Sequence, residues 1–101
     1  MNSITVVGRL THEPETRPVG AGQACRMRLA VDRRTRDGAV FVDVDAFGPT
    51  GEACQAHLRK GRLVAVLGRL EQDTWEGPDG KTRTKHYVVA ATVEFLDRPS
   101  D

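Results

Sequence analysis

The chain has 101 residues, which is enough for a single domain with one modest core. Its 15 Lys and Arg residues are nearly balanced by 14 Asp and Glu residues, so the net charge of +1 gives no overall attraction to a polyanion. The N-terminus begins a strand pattern at once, no apolar stretch reaches the length of a membrane span, and Cys25 and Cys54 lie far from a CxxC spacing. We therefore expect a cytoplasmic protein with reduced thiols, no signal peptide and no membrane segment.

The first half of the chain predicts two strands separated by a loop. An apolar pattern with Gly8 inside it predicts the first strand over residues 2–10. Residues 11–23 carry two prolines and two glycines and predict a loop. Apolar odd residues and charged even residues predict a half-buried second strand over residues 24–32, and an Asp-Gly signal predicts a basic turn over residues 33–39.

The second half predicts three more strands and one helix. The strands are expected at residues 40–47, 62–75 and 81–95. A helix over residues 51–60 is expected to start at an N-cap formed by Thr50 and to stop at Gly61. Five strands with one short helix between the third and fourth predict an all-β OB-fold, a partly open Greek-key barrel that often binds oligonucleotides. We assign residues 1–96 to this domain and residues 97–101 to a short C-terminal end. The near-repeats VVGRL and VLGRL predict matched bends at Gly8 and Gly68.

The third strand carries two phenylalanines on its charged face. Side chains alternate between the two faces of a strand. The face expected toward the core carries Val40, Val42, Val44 and Ala46, and the face expected toward solvent carries Phe41, Asp43, Asp45 and Phe47. Two flat rings on a wet, charged face add little to a core, whereas every nucleic-acid base offers a face on which a ring can stack. We therefore predict that Phe41, Phe47 and Trp75, at the end of the fourth strand, stack on unpaired bases.

Cations surround these rings in the predicted layout. We expect contacts to a nucleic-acid backbone from Arg26, Arg28, Arg33, Arg34, Arg36, Arg83 and Lys85. A hairpin that pairs Trp75 with Lys81 would place Asp73 opposite Arg83 and Glu71 opposite Lys85. These acids, like Asp43 and Asp45, leave fewer cations for phosphates, which predicts binding by stacking with a shallow salt dependence.

Each predicted contact has a structural alternative. Phe41 and Phe47 could pack against a partner subunit, Trp75 could cover its hairpin, and the arginines could serve solubility alone. Catalysis has little support, because the three histidines (His12, His57 and His86) are scattered and the sequence suggests no Ser–His or Cys–His arrangement, no phosphate loop and no ligand cluster. We predict no enzyme activity, no catalytic residue, no cofactor and no metal. Cys25 is expected in the core, and Cys54 is expected to pack with Leu58.

Several stretches match a known family in combination. They cover nearly the whole chain: VVGRL (6–10), EPETR (13–17), LAV (29–31), FVDVDAFG (41–48), LRKG (58–61), VAVLGRL (64–70), Trp75, DG (79–80) and VVA (88–90). On these residues the chain resembles bacterial single-stranded DNA-binding proteins with an OB-fold. The resemblance implies a homotetramer, built as a pair of dimers, that wraps single-stranded DNA. The family often has tryptophan where this chain has Thr35, and basic residues where it has Glu71 and Asp73, which implies weaker binding or a different wrapping mode.

The end of the chain also departs from the resemblance. Family members usually carry a long tail with an acidic, hydrophobic tip that recruits replication and repair proteins, whereas this sequence ends in FLDRPSD. We therefore expect no recruitment through a tail. The leading hypothesis is sequence-independent binding of single-stranded DNA in replication, recombination or repair, beside the nucleoid. Two alternatives stay open: a dimeric adaptor similar to the primosomal replication-restart protein, and an RNA-binding protein.

Overall fold

A computed structural model describes residues 1–20 and 22–97. Its elements in chain order are β1 (Ile4–Leu10), β2 (Glu15–Val19), β3 (Gly22–Asp32), β4 (Ala39–Phe47), α1 (Gly48–His57), β5 (Leu63–Glu76) and β6 (Thr82–Phe95). The five predicted strands are confirmed as β1, β3, β4, β5 and β6. Within the described residues no helix is long and apolar enough to cross a membrane.

The strands close into a small barrel. Their order in the sheet is β1-β5-β6-β4-β3-β2, and β1 also pairs with β3 through Arg9 and Leu10. The link between β4 and β6 is parallel, with Val44 opposite Val88, whereas the other pairings are antiparallel. The barrel consists of β1, β3, β4, β5 and β6, and α1 lies between β4 and β5. This is the predicted OB-fold, which the structure confirms.

The predicted loop at residues 11–23 contains a sixth strand, β2. This strand pairs with β3, with Glu15 opposite Arg26 and Val19 opposite Gly22. Its residues are all exposed. Proline lacks the N–H that a ladder needs, but an edge strand has one side free of a partner, so Pro18 is tolerated there. The prediction of a loop was therefore wrong at residues 15–19.

The helix begins earlier than predicted. Phe47 is its N-cap, in an extended conformation without a side-chain hydrogen bond, and Pro49 lies in the first turn. Proline favours this position because its fixed φ suits a helix and its missing N–H is not needed there. The assignment of Thr50 as N-cap was wrong. The helix ends at His57, and Gly61, with a φ of +91°, lies in the turn that follows.

The core fills the barrel and is covered at one end by α1. Its largest buried side chains are Met27, Leu29, Val44, Leu58, Val64, Val66 and Val88. Cys25 and Cys54 are buried in the same cluster as Leu58, as predicted. Burial raises the pKa of the Cys54 thiol to about 12, so it stays protonated at neutral pH. Val40, predicted as core, is instead 51% exposed, because it lies near the start of β4, beyond the packed centre of the barrel.

Gly8 and Gly68 occupy positions where the backbone of a neighbouring strand approaches closely. A Cβ atom on Gly8 would clash with the carbonyl of Ala30 in β3, and one on Gly68 would clash with the carbonyl of Val89 in β6. The ladder between β5 and β6 shifts its register between Leu67 and Gly68, as a bulge does. Glycine is required at both positions because no side chain fits beside the neighbouring backbone.

The last two strands form a long hairpin whose predicted register was wrong. Trp75 lies opposite Arg83, and Asp73 lies opposite Lys85. The turn includes Lys81, whose carbonyl accepts a hydrogen bond from the Gly77 amide at 2.8 Å, so the strands pair two residues further along β6 than expected. Lys81 therefore lies outside the ladder and not opposite Trp75.

The chain end that we assigned to residues 97–101 is described only at Asp97. The Asp97 carboxylate accepts hydrogen bonds from Arg62 Nε at 2.8 Å and from the Leu63 amide at 3.1 Å. This residue is therefore fastened to the start of β5. Residues 98–101 of the predicted end lie outside the described residues, and the domain boundary at residue 96 stays a prediction.

Candidate nucleic-acid interface

The candidate site is one continuous outer face formed by β3, β4, β6 and β5. Residues directly opposite in a ladder share a face, and the ladders pair Arg26 with Asp45, Arg28 with Asp43, and Trp75 with Arg83. An ion pair of 2.5 Å between Lys85 Nζ and Asp43 joins β6 to β4 on that side. We call this surface the stacking face; its residues are Arg26, Arg28, Phe41, Asp43, Asp45, Phe47, Glu71, Asp73, Trp75, Arg83, Lys85 and Tyr87.

The three predicted stacking residues are all partly open to solvent. The exposed fractions are 55% for Phe41, 40% for Phe47 and 47% for Trp75. Phe41 and Phe47 are six residues apart on β4, or about 20 Å at the rise of a strand. Trp75 lies far out on the hairpin. The structure thus brings the rings onto one face without bringing them into contact, and a chain of several bases would be needed to reach them all.

Arg26 is held by the carboxylate of Asp45. Its Nε and Nη2 atoms donate to the two oxygens of Asp45, the second at 2.8 Å. Asp45 is buried, and the hydrogen bond to it, opposed by burial, raises the pKa of Arg26. Two groups so placed satisfy each other, which favours the structural role for Arg26 over the predicted contact with a nucleic-acid backbone.

Asp43 is the centre of a wider ion-pair cluster. Its side chain is 10% exposed and forms ion pairs with Lys85 at 2.5 Å, Arg28 at 3.4 Å and Arg26 at 3.8 Å. Burial raises the pKa of Asp43, but the three cations outweigh burial and leave that pKa below its ordinary value. The carboxylate is therefore charged at neutral pH, and two of the predicted phosphate contacts, Arg28 and Lys85, are already paired with an anion.

Tyr87 is a member of the face that the sequence analysis missed. The guanidinium of Arg26 lies 5.5 Å from the centroid of its ring, and its hydroxyl donates to Asp73 at 3.2 Å. On the neighbouring strands Arg28 lies 5.2 Å from the ring centroid of Phe41 in the same way. The sequence offered one signal for Tyr87: it directly precedes the core residue Val88. Because neighbouring side chains of a strand lie on opposite faces, Tyr87 is on the outer side of β6.

The remaining cations differ in their freedom. Arg83 is paired with Asp79 at 3.0 Å in the hairpin turn. Arg33, Arg34 and Arg36 lie in the exposed loop between β3 and β4, and they form no ion pair with any of the described residues. The loop thus presents three cations that need not exchange a partner before they contact an anion.

A groove opens beside Phe47. It has a volume of about 720 Å³ and lies between β2, the start of β3 and α1. Two polar side chains of its lining are bonded to each other: Thr16 donates to Gln55 at 3.1 Å, and Gln55 in turn donates to the Pro14 carbonyl at 3.0 Å. Phe47 therefore borders both the stacking face and this groove.

No group of three or more metal-binding side chains comes together among residues 1–20 and 22–97. The three histidines lie on separate parts of the described structure: His12 follows β1, His57 ends α1 and His86 is on β6. The chemistry that the face offers is stacking and ion pairing.

Comparison with known proteins gives a consistent result. Residues 1–96 match the sequence profile of the Single-strand binding protein family. A "Single-stranded DNA-binding protein" of Clostridium perfringens is 40% identical over 100 residues, covering 96% of this chain and 67% of that protein. One from Helicobacter pylori is 34% identical, covering 99% of this chain and 60% of its own length, and "Single-stranded DNA-binding protein 2" of Clostridium acetobutylicum is 35% identical, covering 100% and 80%. The chain thus spans about two thirds of the first two relatives.

Proposed function

The chain belongs to the single-strand binding protein family, and on this premise we propose that it binds single-stranded DNA regardless of sequence. Membership of a family of binding proteins confirms that it is not an enzyme. The observation that carries the proposal is the stacking face, on which three half-exposed rings stand among cations. Stacking tolerates any base, because every base has a π-face.

The proposed contacts follow from the exposure of each ring and from whether each cation already has a carboxylate partner. Phe41, Phe47 and Trp75 stack on bases, and the loop arginines take phosphates first because they have no described ion pair. The cations paired within the face, which are Arg28, Arg83 and Lys85, reach phosphates only by leaving a carboxylate. Arg26 contributes mainly by holding β3 to β4 through Asp45.

The proposed action is mass action. A ligand that binds only one state of a partner shifts the equilibrium toward that state. Here the protein is the ligand and the unpaired strand is the favoured state, so hairpins melt and strands are kept apart and covered. We place this action in the cytoplasm, beside the nucleoid, in replication, recombination or repair.

We also propose that the protein works as a homotetramer. Support comes from apolar side chains on a different surface, the outer side of the β1–β5 pair. Val7 and Leu67 are 47% and 45% exposed there, and the ladder sets Val7 opposite Ala65. Exposed apolar groups grouped on a sheet face fit contact with another copy of the chain. Light scattering tests the assembly: a tetramer is expected, and a dimer would favour the adaptor.

A binding experiment tests the proposed function. Fluorescence anisotropy of a labelled oligothymidine is followed as protein is added, with unlabelled single strand, duplex and RNA of equal length as competitors. We expect unlabelled single-stranded DNA to displace half of the label when its concentration about equals that of the labelled strand, and we expect the duplex to compete poorly. Failure to bind the oligothymidine, or equal competition by duplex, would contradict the proposal, and stronger competition by RNA would move it to RNA.

A further inference from the structure

The two aspartates of β4 that face outward are held in different ways. Asp45 is matched by one guanidinium that fills both of its oxygens, and both side chains are nearly covered, at 15% exposure for Arg26 and 5% for Asp45. Asp43 instead meets Arg28 of β3 and Lys85 of β6, while Arg26, held by Asp45, approaches it only to 3.8 Å. The Arg26–Asp45 pair is therefore a fixed part of the fold, whereas the cations that contact Asp43 are exposed to solvent.

The cations on Asp43 remain within reach of solvent. The side chains of Arg28 and Lys85 are 46% and 43% exposed, although Asp43 itself is only 10% exposed. An anion arriving from outside therefore meets the two cations before it meets the carboxylate. A phosphate oxygen is the same kind of acceptor as a carboxylate oxygen, so it can take either cation over with its hydrogen bonds intact.

We propose that Asp43 is an internal competitor of the DNA backbone, which holds Arg28 and Lys85 until a phosphate displaces it. This inference rests on the proposed function and adds a residue that sets affinity and salt dependence. Arg28 also lies against the Phe41 ring, 5.2 Å from its centroid. Transfer of Arg28 to a phosphate therefore uncovers a ring face at the moment a base arrives, which couples backbone contact to stacking.

Exchange leaves a signature in the salt dependence. A free cation that neutralises a phosphate of a single strand contributes about −0.7 to the slope of log affinity against log salt. A cation that leaves Asp43 contributes less, because the abandoned carboxylate takes up a counterion from solution. Arg28 and Lys85 therefore add affinity in the native chain without adding their full share of salt sensitivity.

The test replaces Asp43 by Asn, which keeps the shape and removes the charge. We expect Asp43→Asn to bind a labelled oligothymidine roughly three- to tenfold more tightly at low salt, since two weak, half-exposed ion pairs no longer have to be broken. Its slope is expected to steepen by at most about 0.7, because Arg28 and Lys85 leave a single carboxylate and that carboxylate takes up a single counterion. The matched control is Asp73→Asn, which removes the same charge from the same face, where Asp73 accepts a hydroxyl and forms no described ion pair.

A second comparison does not require Asp43→Asn to fold. Lys85→Gln removes a cation that must leave a carboxylate, and Arg34→Gln removes one that has no described ion pair. Exchange predicts a smaller loss of slope for Lys85→Gln than the loss of about 0.7 for Arg34→Gln. Circular dichroism and thermal unfolding verify that each variant is folded.

The outcomes separate the inference from the function on which it rests. A wild-type chain that binds the single strand, with Asp43→Asn tighter and steeper than Asp73→Asn, supports Asp43 as a competitor. Wild-type binding with equal effects of the two Asp variants, or with equal losses of slope in Lys85→Gln and Arg34→Gln, overturns the inference alone. Absence of binding to the oligothymidine by wild type and variants overturns the proposed function itself.

Discussion

Removal of two rings from the stacking face should weaken the binding of single-stranded DNA by more than tenfold. The change is Phe47→Ala with Trp75→Ala, which deletes a ring from β4 and a ring from the hairpin. Each stacked ring contributes about 1–3 kcal/mol. Both rings are less than half exposed, 40% and 47%, so one face of each is available and the lower part of that range applies. The expected loss is about 2–4 kcal/mol, or roughly 30- to 1,000-fold in affinity.

The assay is anisotropy of a labelled oligothymidine at fixed salt, with the salt slope measured for each variant. Stacking carries no charge, so the slope should not change while the affinity falls. Phe95→Ala is the matched control, because Phe95 is 38% exposed but lies at the far end of β6, opposite Val64. A loss below tenfold in the double variant, or an equal loss in Phe95→Ala, would refute the stacking argument.

Three further predictions concern the charged groups. Arg26→Ala should lower the free energy of unfolding in urea by about 3 kcal/mol, because it leaves Asp45 buried without its partner. Arg28→Ala, at the exposed end of the cluster, should lower it by less than about 1 kcal/mol. Equal losses would contradict the structural role assigned to Arg26. Replacement of Arg33, Arg34 and Arg36 by Ala should lower the salt slope of oligothymidine binding by about 2, and an unchanged slope would remove the loop from the interface. Since the pKa of Asp43 is below its ordinary value of 3.8, its ion pairs stabilise the fold above that value and are lost as pH falls through the lowered pKa. Unfolding measured from pH 7 down to pH 3 should therefore show a smaller acid loss of stability in Asp43→Asn than in wild type, and parallel curves would contradict a lowered pKa of Asp43.

The alternation of side chains made most of the barrel predictable. Apolar residues at every second position of β3 and β4 indicated which side of each strand meets the core, and Met27, Leu29 and Val44 are buried there as expected. The same alternation placed Phe41 and Phe47 on the solvent side. It could not find β2, because all five residues of that strand are exposed and its proline, which argues against most strands, is tolerated in an edge strand.

The ionic arrangement depended on information that is not local in the sequence. Which cation meets Asp43 is decided by the ladders from β3 to β4 and from β4 to β6, which join residues far apart in the chain. The hairpin register was missed because Lys81 belongs to the turn. It is held there by a backbone hydrogen bond from Gly77, which the residue types do not predict. The predicted site residues therefore stay a prediction, and the division into free and paired cations needed the structure.

The measurement that tests the central claim most directly uses Trp75, the single tryptophan of the chain. Its fluorescence is titrated with oligothymidine and then with duplex of equal length, at low and at high salt. We expect strong quenching by the single strand alone, with most of the quenching retained at high salt because a stacked base is held without charge. Absence of quenching, or equal quenching by duplex, would show that Trp75 does not stack on unpaired bases and would contradict the claim.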